Sequence, residues 1–390
     1  MRIQGYRGIG DCEPGTDDGF TLLELLVAVV LLSAMAWMTL GLVADDVNQA
    51  RYEDTRNRLR AIRAAVLGSP ALMENGLVGG FVADNGRLPS SIAELSGVAE
   101  ALEPFGPKAP VFDPTPDAKG FDNGDEPGEE EADKVVELGG ARQLLMKGHR
   151  GFYLDGGAYR DGWGNRSSFI SPGVSCPSPP GVAFSDDDGH ESDDGDDNYG
   201  WCVTRKKTDD DGYTELYVAS YGMDGVEGTT TCEEGDATPV CAYEEDAQMS
   251  PPILEADWRT PVPSIEVSVV SRGGGGIPSS DTPWGVALLV YVSDAGDDDS
   301  KPPPGRWRQW FSDTASTAAH CADGRCDFDF VFAGGETSPI PQIPMGEHLL
   351  ALFEVDGAAK ALVKDGDEYV TARVKFFPRG GVPTARLAIQ

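Results

Sequence analysis

One carboxylate stands inside a long apolar segment near the N-terminus. Residues 20–44 read FTLLELLVAVVLLSAMAWMTLGLVA, in which Glu24 is the only ionisable side chain. A charge at depth in a bilayer costs ~2.5 to 3.5 kcal/mol unless it is paired, so Glu24 needs a cation. If the chain were cut before Phe20, the new α-amino group and Glu24 would lie four residues apart on one helix face. The same carboxylate could instead reach the amino terminus of a neighbouring subunit, and both pairings stay open.

Cysteines are the second set of residues with chemistry of their own. The chain has seven, and a cut before Phe20 would remove Cys12 and leave an even set of six. Their clustering favours pairs of neighbours along the chain, although other pairings stay open. Disulfides predict a periplasmic or extracellular location for the globular part. The six are Cys176 with Cys202, Cys232 with Cys241, and Cys321 with Cys326.

Catalytic patterns do not appear in the sequence. There is no Gly-x-Ser-x-Gly elbow, and the four histidines are scattered without zinc-type spacing. His320 and Cys321 with Cys326 offer too few ligands for a metal knuckle, so a short disulfide loop is the favoured interpretation. We therefore predict that the protein is not an enzyme.

Charge and length bound the remaining classes. The 390 residues carry 31 Lys plus Arg against 65 Asp plus Glu, a formal net charge of −34. Such a charge repels phosphate backbones, which argues against nucleic acid as a partner. The length allows two or three hydrophobic cores.

A single long helix must position Glu24. As a helix, the apolar run spans ~30 Å, the thickness of a bilayer core, and it is too long for a cleaved signal peptide. Residues 45–67 continue with apolar positions at helical spacing, and 68–70 read Gly-Ser-Pro, which predicts the end of the helix.

Residues 19–24 read GFTLLE before the apolar run, and this resembles the prepilin N-terminus of type IV pilins and type II secretion pseudopilins. In that family a prepilin peptidase cuts after the glycine and methylates the new amine, and the glutamate registers each incoming subunit against the filament. The resemblance gives these roles to Gly19, Phe20 and Glu24. It implies a leader at 1–19, a pilin helix at 20–70 with its membrane span at 20–44, and a single-pass inner-membrane protein with a periplasmic or extracellular head.

Three further motifs resemble those of major pseudopilins, and their order is the same. Residues 85–95 match "nGrlP...i.eL", residues 161–165 (DGWGN) resemble the DPWGNP turn, and residues 220–225 (SYGMDG) resemble the "SxGxDG" loop. They predict a small antiparallel-sheet pilin head over 71–250. We expect two solvated acidic insertions in it, at 103–133 and 185–198. For the second, calcium binding is the alternative, because its Asp-rich run offers the oxygen donors that Ca²⁺ prefers.

The loop after Tyr221 is the best candidate for a cofactor. Major pseudopilins bind one Ca²⁺ there, and the resemblance implies Asp224 and Asp236 as the carboxylates here. Backbone carbonyls would complete the shell, since Ca²⁺ takes six to eight oxygens in flexible geometry.

After residue 250 the pattern changes to short segments of period-2 alternation. Residues 265–269 and 328–332 alternate apolar with mostly polar side chains, and Asp-Gly pairs at 356 and 365 predict hairpin turns. Six or seven strands predict an immunoglobulin-like β-sandwich at 255–390. The expected fold class is therefore α+β: a long N-terminal helix, a pilin head and an all-β domain.

The predicted function is that of a structural subunit, a pilin or pseudopilin in a minor or tip position of a type IV pilus-like or type II secretion filament. Its partners would be other pilin-like subunits, the prepilin peptidase and the inner membrane. The alternative is a pilin-mounted adhesin or cargo-binding module, in which the sandwich binds a secreted cargo or a surface ligand.

Overall fold

The structure is a computed structural model of the chain. It describes residues 21–69, 71, 75, 77–97, 104–114, 135–154, 160–165, 190–193, 196–209, 212–223, 251–272, 282–293, 306–332, 340–356 and 359–389, with only the backbone described at 39–45, 190–193, 196, 208, 209, 212, 318, 319, 356 and 359. The chain divides into two compact units, residues 1–50 and 51–390.

The helices of the described residues are α1 (Leu22–Leu67), α2 (Phe81–Asn85), α3 (Ile92–Ser96) and α4 (Thr317–His320). The strands are β1 (Gly106–Lys108), β2 (Val111–Phe112), β3 (Val136–Glu137), β4 (Leu145–Lys147), β5 (His190–Asp193), β6 (Trp201–Asp209), β7 (Gly212–Ser220), β8 (Arg259–Pro261), β9 (Ser264–Ser271), β10 (Pro283–Val292), β11 (Arg306–Phe311), β12 (Ala315–Ser316), β13 (Cys321–Ala322), β14 (Arg325–Val331), β15 (Gln342–Pro344), β16 (Gly346–Asp356), β17 (Ala359–Leu362), β18 (Lys364–Asp365), β19 (Glu368–Tyr369), β20 (Thr371–Phe376) and β21 (Ala385–Ile389).

Helix α1 contains 46 residues, which gives a length of about 69 Å at ~1.5 Å per residue. It ends where the sequence predicted, because Gly68 has a φ of 84° and its N–H still bonds to Ala64 O at 2.8 Å. A side chain at Gly68 would meet the carbonyl of Gly79, so glycine is required at this helix end.

One face of the last part of α1 is buried. Leu59, Ile62 and Val66 are each at most 3% exposed, at the spacing of one helix face. They share a hydrophobic cluster with α2, α3, the sheet β5–β6–β7 and two side chains from beyond residue 255, Trp258 and Met345. The core around α1 therefore combines residues that lie far apart in the sequence.

Two large sheets dominate the described C-terminal half of the chain, and β8 with β15 and β18 with β19 form two small additional sheets. The first is antiparallel and has β10 and β16 at its centre, with Leu288 opposite Leu350. The second has the order β13–β14–β9–β21, and β21 runs parallel to β9. Alternate residues of β14, including Phe328 and Phe330, are buried in a cluster to which both sheets contribute. The period-2 alternation explains this, since it places one apolar face on each strand.

The remaining face of the first sheet is covered by residues from two described segments, 104–114 and 135–147. Strand β1 pairs with β4 and β2 with β3, and Phe112, Leu138 and Leu145 are buried against Leu289 and Phe353. The prediction of a solvated loop at 103–133 is therefore wrong for residues 104–114. Burial of the apolar Val-Phe pair of β2 stabilises this segment by more than the surrounding Pro and Gly destabilise it.

The prediction of a solvated acidic loop at 185–198 is also wrong for the described residues of that range. Residues 190–193 form β5, which pairs with β6, and Asn198 is buried with its Oδ1 accepting the Ile92 N–H at 2.9 Å. Ladder hydrogen bonds to β6 stabilise this segment in spite of its acidity.

Asp257 connects three parts of the second unit. Its carboxylate accepts from Arg63 of α1 at 3.1 Å, from Arg379 after β20 at 2.8 Å, and from Leu254 N at 3.2 Å. Its side chain is 12% exposed, so these charge-assisted bonds are partly shielded from water.

Candidate functional site

Glu24 forms a reciprocal cap with Thr21 at the start of α1. Its Oε2 accepts from Thr21 N at 3.0 Å and from the Thr21 hydroxyl at 3.1 Å, and Glu24 N donates to Thr21 Oγ1 at 3.3 Å. This is the capping-box arrangement, which satisfies N–H groups that a helix start leaves unpaired. The carboxylate thus has a local role that the sequence analysis missed, although the Thr-x-x-Glu spacing signals it. Gly19 and Phe20 lie outside the described residues, so the pairing of Glu24 with an amine stays a prediction.

The first part of α1 presents an apolar surface. Every described residue from 21 to 38 is exposed, including Leu22 at 84%, Trp37 at 83% and Met38 at 74%. Burial of such side chains against lipid or another helix stabilises by ~1.5 to 3 kcal/mol each. This surface is therefore suited to apolar contacts outside its own unit.

Two of the pseudopilin-like motifs meet at one buried carboxylate. Asp161 is 3% exposed and accepts from Gly164 N at 2.7 Å, Asn165 N at 2.9 Å, Asn165 Nδ2 at 2.7 Å and Ser220 Oγ at 2.6 Å. Asn165 Nδ2 also donates to Gly222 O at 2.9 Å. The DGWGN turn therefore holds the start of the SYGMDG loop through side chains 59 positions apart.

The same turn binds α1. Gly162 N donates to Thr55 Oγ1 at 2.9 Å, and Arg58 donates to the Arg160 carbonyl at 2.6 Å. A Cβ on Gly162 would meet the Arg51 carbonyl, so glycine allows this approach. We call the group that joins α1 to the two motifs the stalk seam; it consists of Thr55, Asp161, Gly162, Asn165 and Ser220.

The third motif faces the C-terminal strands. Asn85 O accepts from Ser293 N at 2.8 Å, and Arg87 Nε donates to Ser293 O at 2.8 Å. Arg87 also makes a bidentate ion pair with Glu94, at 2.9 and 2.8 Å. Burial alone would raise the pKa of Glu94, but the Arg87 guanidinium and the Ser90 N–H outweigh it and lower that pKa.

A buried lysine lies beside this motif. Lys147 is 1% exposed, and its Nζ donates to Ala83 O at 2.8 Å. Burial lowers its pKa to about 8, although Asp84 and Glu347 act in the opposite direction. Gly346, at a φ of 138°, leaves room for it, since a Cβ there would lie 3.2 Å from Lys147 Nζ.

Two more titratable groups are buried nearby. Burial raises the pKa of Asp84 although Arg150 lies 2.7 Å away. Burial and the Lys147 charge hold the pKa of His348 well below its ordinary value, and its Nε2 lies 2.8 Å from Pro344 O. We call the group that joins α2 and β4 to β16 the β seam; it consists of Asp84, Lys147, Gly346, Glu347 and His348.

The prokaryotic N-terminal methylation motif matches residues 16–40, which include Gly19, Phe20 and Glu24. The N-terminal segment of the chain is that of a type IV pilin-like prepilin. The match supports processing by a prepilin peptidase and assembly with other pilin subunits, and it points to a structural role. No curated protein and no solved structure matches the chain.

The match fits a pilin that is anchored in the membrane and assembled into a filament. Among the described residues of the prepilin, no helix combines the length and apolarity that a membrane crossing requires.

The prepilin contains a disulfide between Cys321 and Cys326, which lie opposite each other on β13 and β14. This is the pairing that their spacing favoured. Cys202 is also disulfide-bonded, to a partner outside the described residues. Cys176, Cys232 and Cys241 lie outside those residues, so the other two pairings stay predictions.

The predicted calcium ligands, Asp224 and Asp236, lie outside the described residues. Within the described part, no three His, Cys, Asp or Glu side chains come close enough together to hold a metal ion. Asp161 is engaged by its four donors, so it fixes the start of the loop and is not a free ligand. A calcium ion would therefore depend on Asp224, Asp236 and loop carbonyls.

Proposed function

We propose that the protein is a structural subunit of a type IV pilus-like or type II secretion filament, cut after Gly19 and inserted through the apolar surface of α1. The methylation motif at 16–40 carries this proposal. It is supported by the exposed apolar residues of α1 and by the firm attachment of its second half to the second unit.

In the filament, Glu24 neutralises the Phe20 amine of a neighbouring subunit. Before assembly, its carboxylate caps its own helix through Thr21, as the contacts at 3.0 and 3.1 Å indicate. Glutamine at the third helical position also completes a capping box, so the capping role and the charge role can be separated by substitution.

The decisive experiment compares Glu24→Gln with Thr21→Ala in the full chain. We expect Glu24→Gln to block incorporation into sheared filaments while membrane insertion persists, because the cap remains but the charge is lost. Thr21→Ala should assemble near the wild-type level. Normal filaments from Glu24→Gln would refute the charge role. Mass spectrometry of the mature N-terminus should find methylated Phe20, and an intact leader would refute the processing step.

The finer assignment places a pilin head at 71–250 and a β-sandwich at 255–390, in a protein with its head in the periplasm or outside the cell. The bulk of the C-terminal sheets favours a minor or tip position, since every subunit of a tightly packed filament would have to carry them. Quantification of subunits in purified filaments tests this, and equimolar abundance with the main pilin would overturn it.

Calcium binding in the loop after Tyr221 is a further part of the proposal. It is supported by the anchoring of that loop through Ser220 and Gly222 to the DGWGN turn. Added Ca²⁺ should raise the unfolding temperature of the wild type and not that of Asp224→Asn combined with Asp236→Asn. The matched control is Asp329→Asn, which removes an exposed carboxylate from β14. Equal shifts in all three proteins would exclude this site.

The second candidate is a pilin-mounted adhesin or cargo-binding module. The outer face of β9 and β14, with Glu266 and Asp329 exposed, favours it as a surface open to a ligand. Deletion of 255–390 is a poor test, because Trp258 and Met345 belong to the core around α1. Glu266→Lys with Asp329→Lys should instead abolish attachment and spare assembly; unchanged attachment would count against this surface.

A further inference from the structure

Four of the five arginines in the second half of α1 fall into two groups. Arg58 pairs with Asp54 at 2.8 Å and Arg63 with Asp257 at 3.1 Å. Arg56 and Arg60 are exposed, and neither forms an ion pair with a carboxylate of the described residues. Arg58 and Arg63 therefore have carboxylate partners within the chain, whereas Arg56 and Arg60 can bind a carboxylate of another molecule.

The positions of Arg56 and Arg60 are defined by local contacts. The guanidinium of Arg56 lies 5.9 Å from the ring centroid of Tyr52, and Arg60 donates to Asn57 Oδ1 at 3.1 Å. The two lie one turn apart, and like charges at this spacing weaken a helix. Glu53 is exposed on the same part of the helix but is engaged in another interaction. Among the described residues, neither guanidinium on this exposed face forms an ion pair with a carboxylate.

Two small side chains lie close to the arginines. Ala61 and Ala64 are both exposed and follow Arg60 within four residues. Small side chains let another surface approach the helix backbone closely, while the two guanidinium groups offer bidentate binding to carboxylates.

Charge complementarity decides what fits. The chain itself carries 65 acidic against 31 basic residues, with a pI near 4.3. Exposed cations on a strongly acidic protein attract the carboxylates of another such protein. We propose that Arg56 and Arg60 form a docking surface for the carboxylates of the adjacent pilin-like subunit in the filament. The inference rests on the proposed function and adds a second, electrostatic contact to the apolar one.

Charge reversal in the full chain tests the surface. Arg56→Glu with Arg60→Glu should lower incorporation into filaments roughly tenfold, because two favourable contacts become repulsive. High salt should weaken wild-type assembly and narrow this difference, since exposed charges are screened beyond about 8 Å at ~0.15 M ionic strength. The matched control is Arg386→Glu, an exposed arginine on β21, which should assemble normally. Normal incorporation of the double variant would overturn the proposal.

A second variant keeps the positive charge and identifies the partner. Arg56→Lys with Arg60→Lys should assemble, and a carbodiimide should join the new amines to carboxylates of a neighbouring subunit. Mass spectrometry of the cross-linked peptides then names the acidic partner residues. Cross-linking no stronger than that of Arg386→Lys would contradict the docking surface. If charge reversal instead weakens binding only to vesicles of anionic phospholipid, the face contacts lipid and the proposal fails.

The result is separable from a failure of the proposed function. If Glu24→Gln blocks incorporation and the arginine variants do not, the subunit role stands and the docking surface is wrong. If the wild-type chain never enters filaments, both fail. Circular dichroism of each variant, with Arg56→Gln and Arg60→Gln as the milder pair, separates loss of contact from loss of fold.

Discussion

The stalk seam and the β seam join the same core to different parts of the chain, and they use different chemistry. In the stalk seam, Asp161 is surrounded by hydroxyl, amide and backbone donors at 2.6 to 2.9 Å. In the β seam, Lys147, Asp84 and His348 are buried as titratable groups with shifted pKa values. The contrast indicates that α1 is held by hydrogen bonds that converge on one carboxylate, whereas the C-terminal sheets are held by buried titratable groups with shifted pKa values, whose contacts depend on pH.

The largest effect should come from the stalk seam. Asp161→Ala removes the acceptor of four hydrogen bonds and leaves buried donors unpaired. We expect the free energy of unfolding to fall by about 3 to 5 kcal/mol. Urea unfolding of the full chain in detergent measures this. Asp161→Asn keeps one acceptor oxygen and should lower the free energy of unfolding by less. Equal losses in the two variants would show that the hydrogen bonds do not account for the effect.

Lys147 gives the clearest pH signature of the β seam. Its pKa is lowered from 10.5 to about 8, so the unfolded chain binds more protons between these values. Stability should therefore rise with pH between about 8 and 10.5, by on the order of 3 kcal/mol for this group. Lys147→Met should abolish the rise. The exposed Lys364→Met on β18 serves as control, and a rise that persists in Lys147→Met would contradict the assignment.

The buried His348 should make the stability of the protein depend on pH on the acidic side as well. Because its pKa in the folded protein lies well below 6.5, protonation favours the unfolded chain once the pH falls below about that value. The expected loss is about 1.4 kcal/mol per pH unit from this group. His348→Asn should flatten the slope of thermal stability between pH 6.5 and 5.5, while His320→Asn, at an exposed position, should leave it unchanged. An unchanged slope in His348→Asn would show that His348 does not contribute to the pH dependence of the β seam.

The smallest predicted effect returns to the stalk seam. Thr55→Val keeps the shape of a fully buried side chain but leaves Gly162 N–H without its acceptor. The cost should be about 1 to 2 kcal/mol and the same at pH 6 and pH 8. Thr55→Ser retains the hydroxyl and should lose less. A strong pH dependence of the free-energy loss in Thr55→Val would contradict the proposed difference between the two seams.

The sequence predicted elements whose pattern is local. Alternation placed β9 and β14, and the Asp365-Gly366 turn lies between β18 and β19, with Gly366 at a φ of 62°. The short Cys321–Cys326 spacing favoured the disulfide that the structure contains. Strand β11 was missed because RWRQWF does not alternate, with both its tryptophans only partly buried.

The site was predictable in its residues and not in its contacts. Gly19, Phe20 and Glu24 form a local motif, so resemblance found them. The bond between Asp161 and Ser220 joins residues 59 apart, and Lys147 reaches Ala83 across 64 positions. Such pairs depend on tertiary packing, for which periodicity carries no signal. The insertions were misjudged for the same reason, because pairing with β6 and burial of Phe112 outweigh composition.

Asp257 has a mechanical consequence. Because one carboxylate binds both Arg63 of the stalk helix and Arg379 beyond β20, a pull on the C-terminal sheets reaches α1 through a path a few residues long. Tension along that path would act on these two ion pairs and on the buried Trp258, which follows Asp257 in the chain. A filament subunit with this connection would transmit an external force to its stalk almost directly.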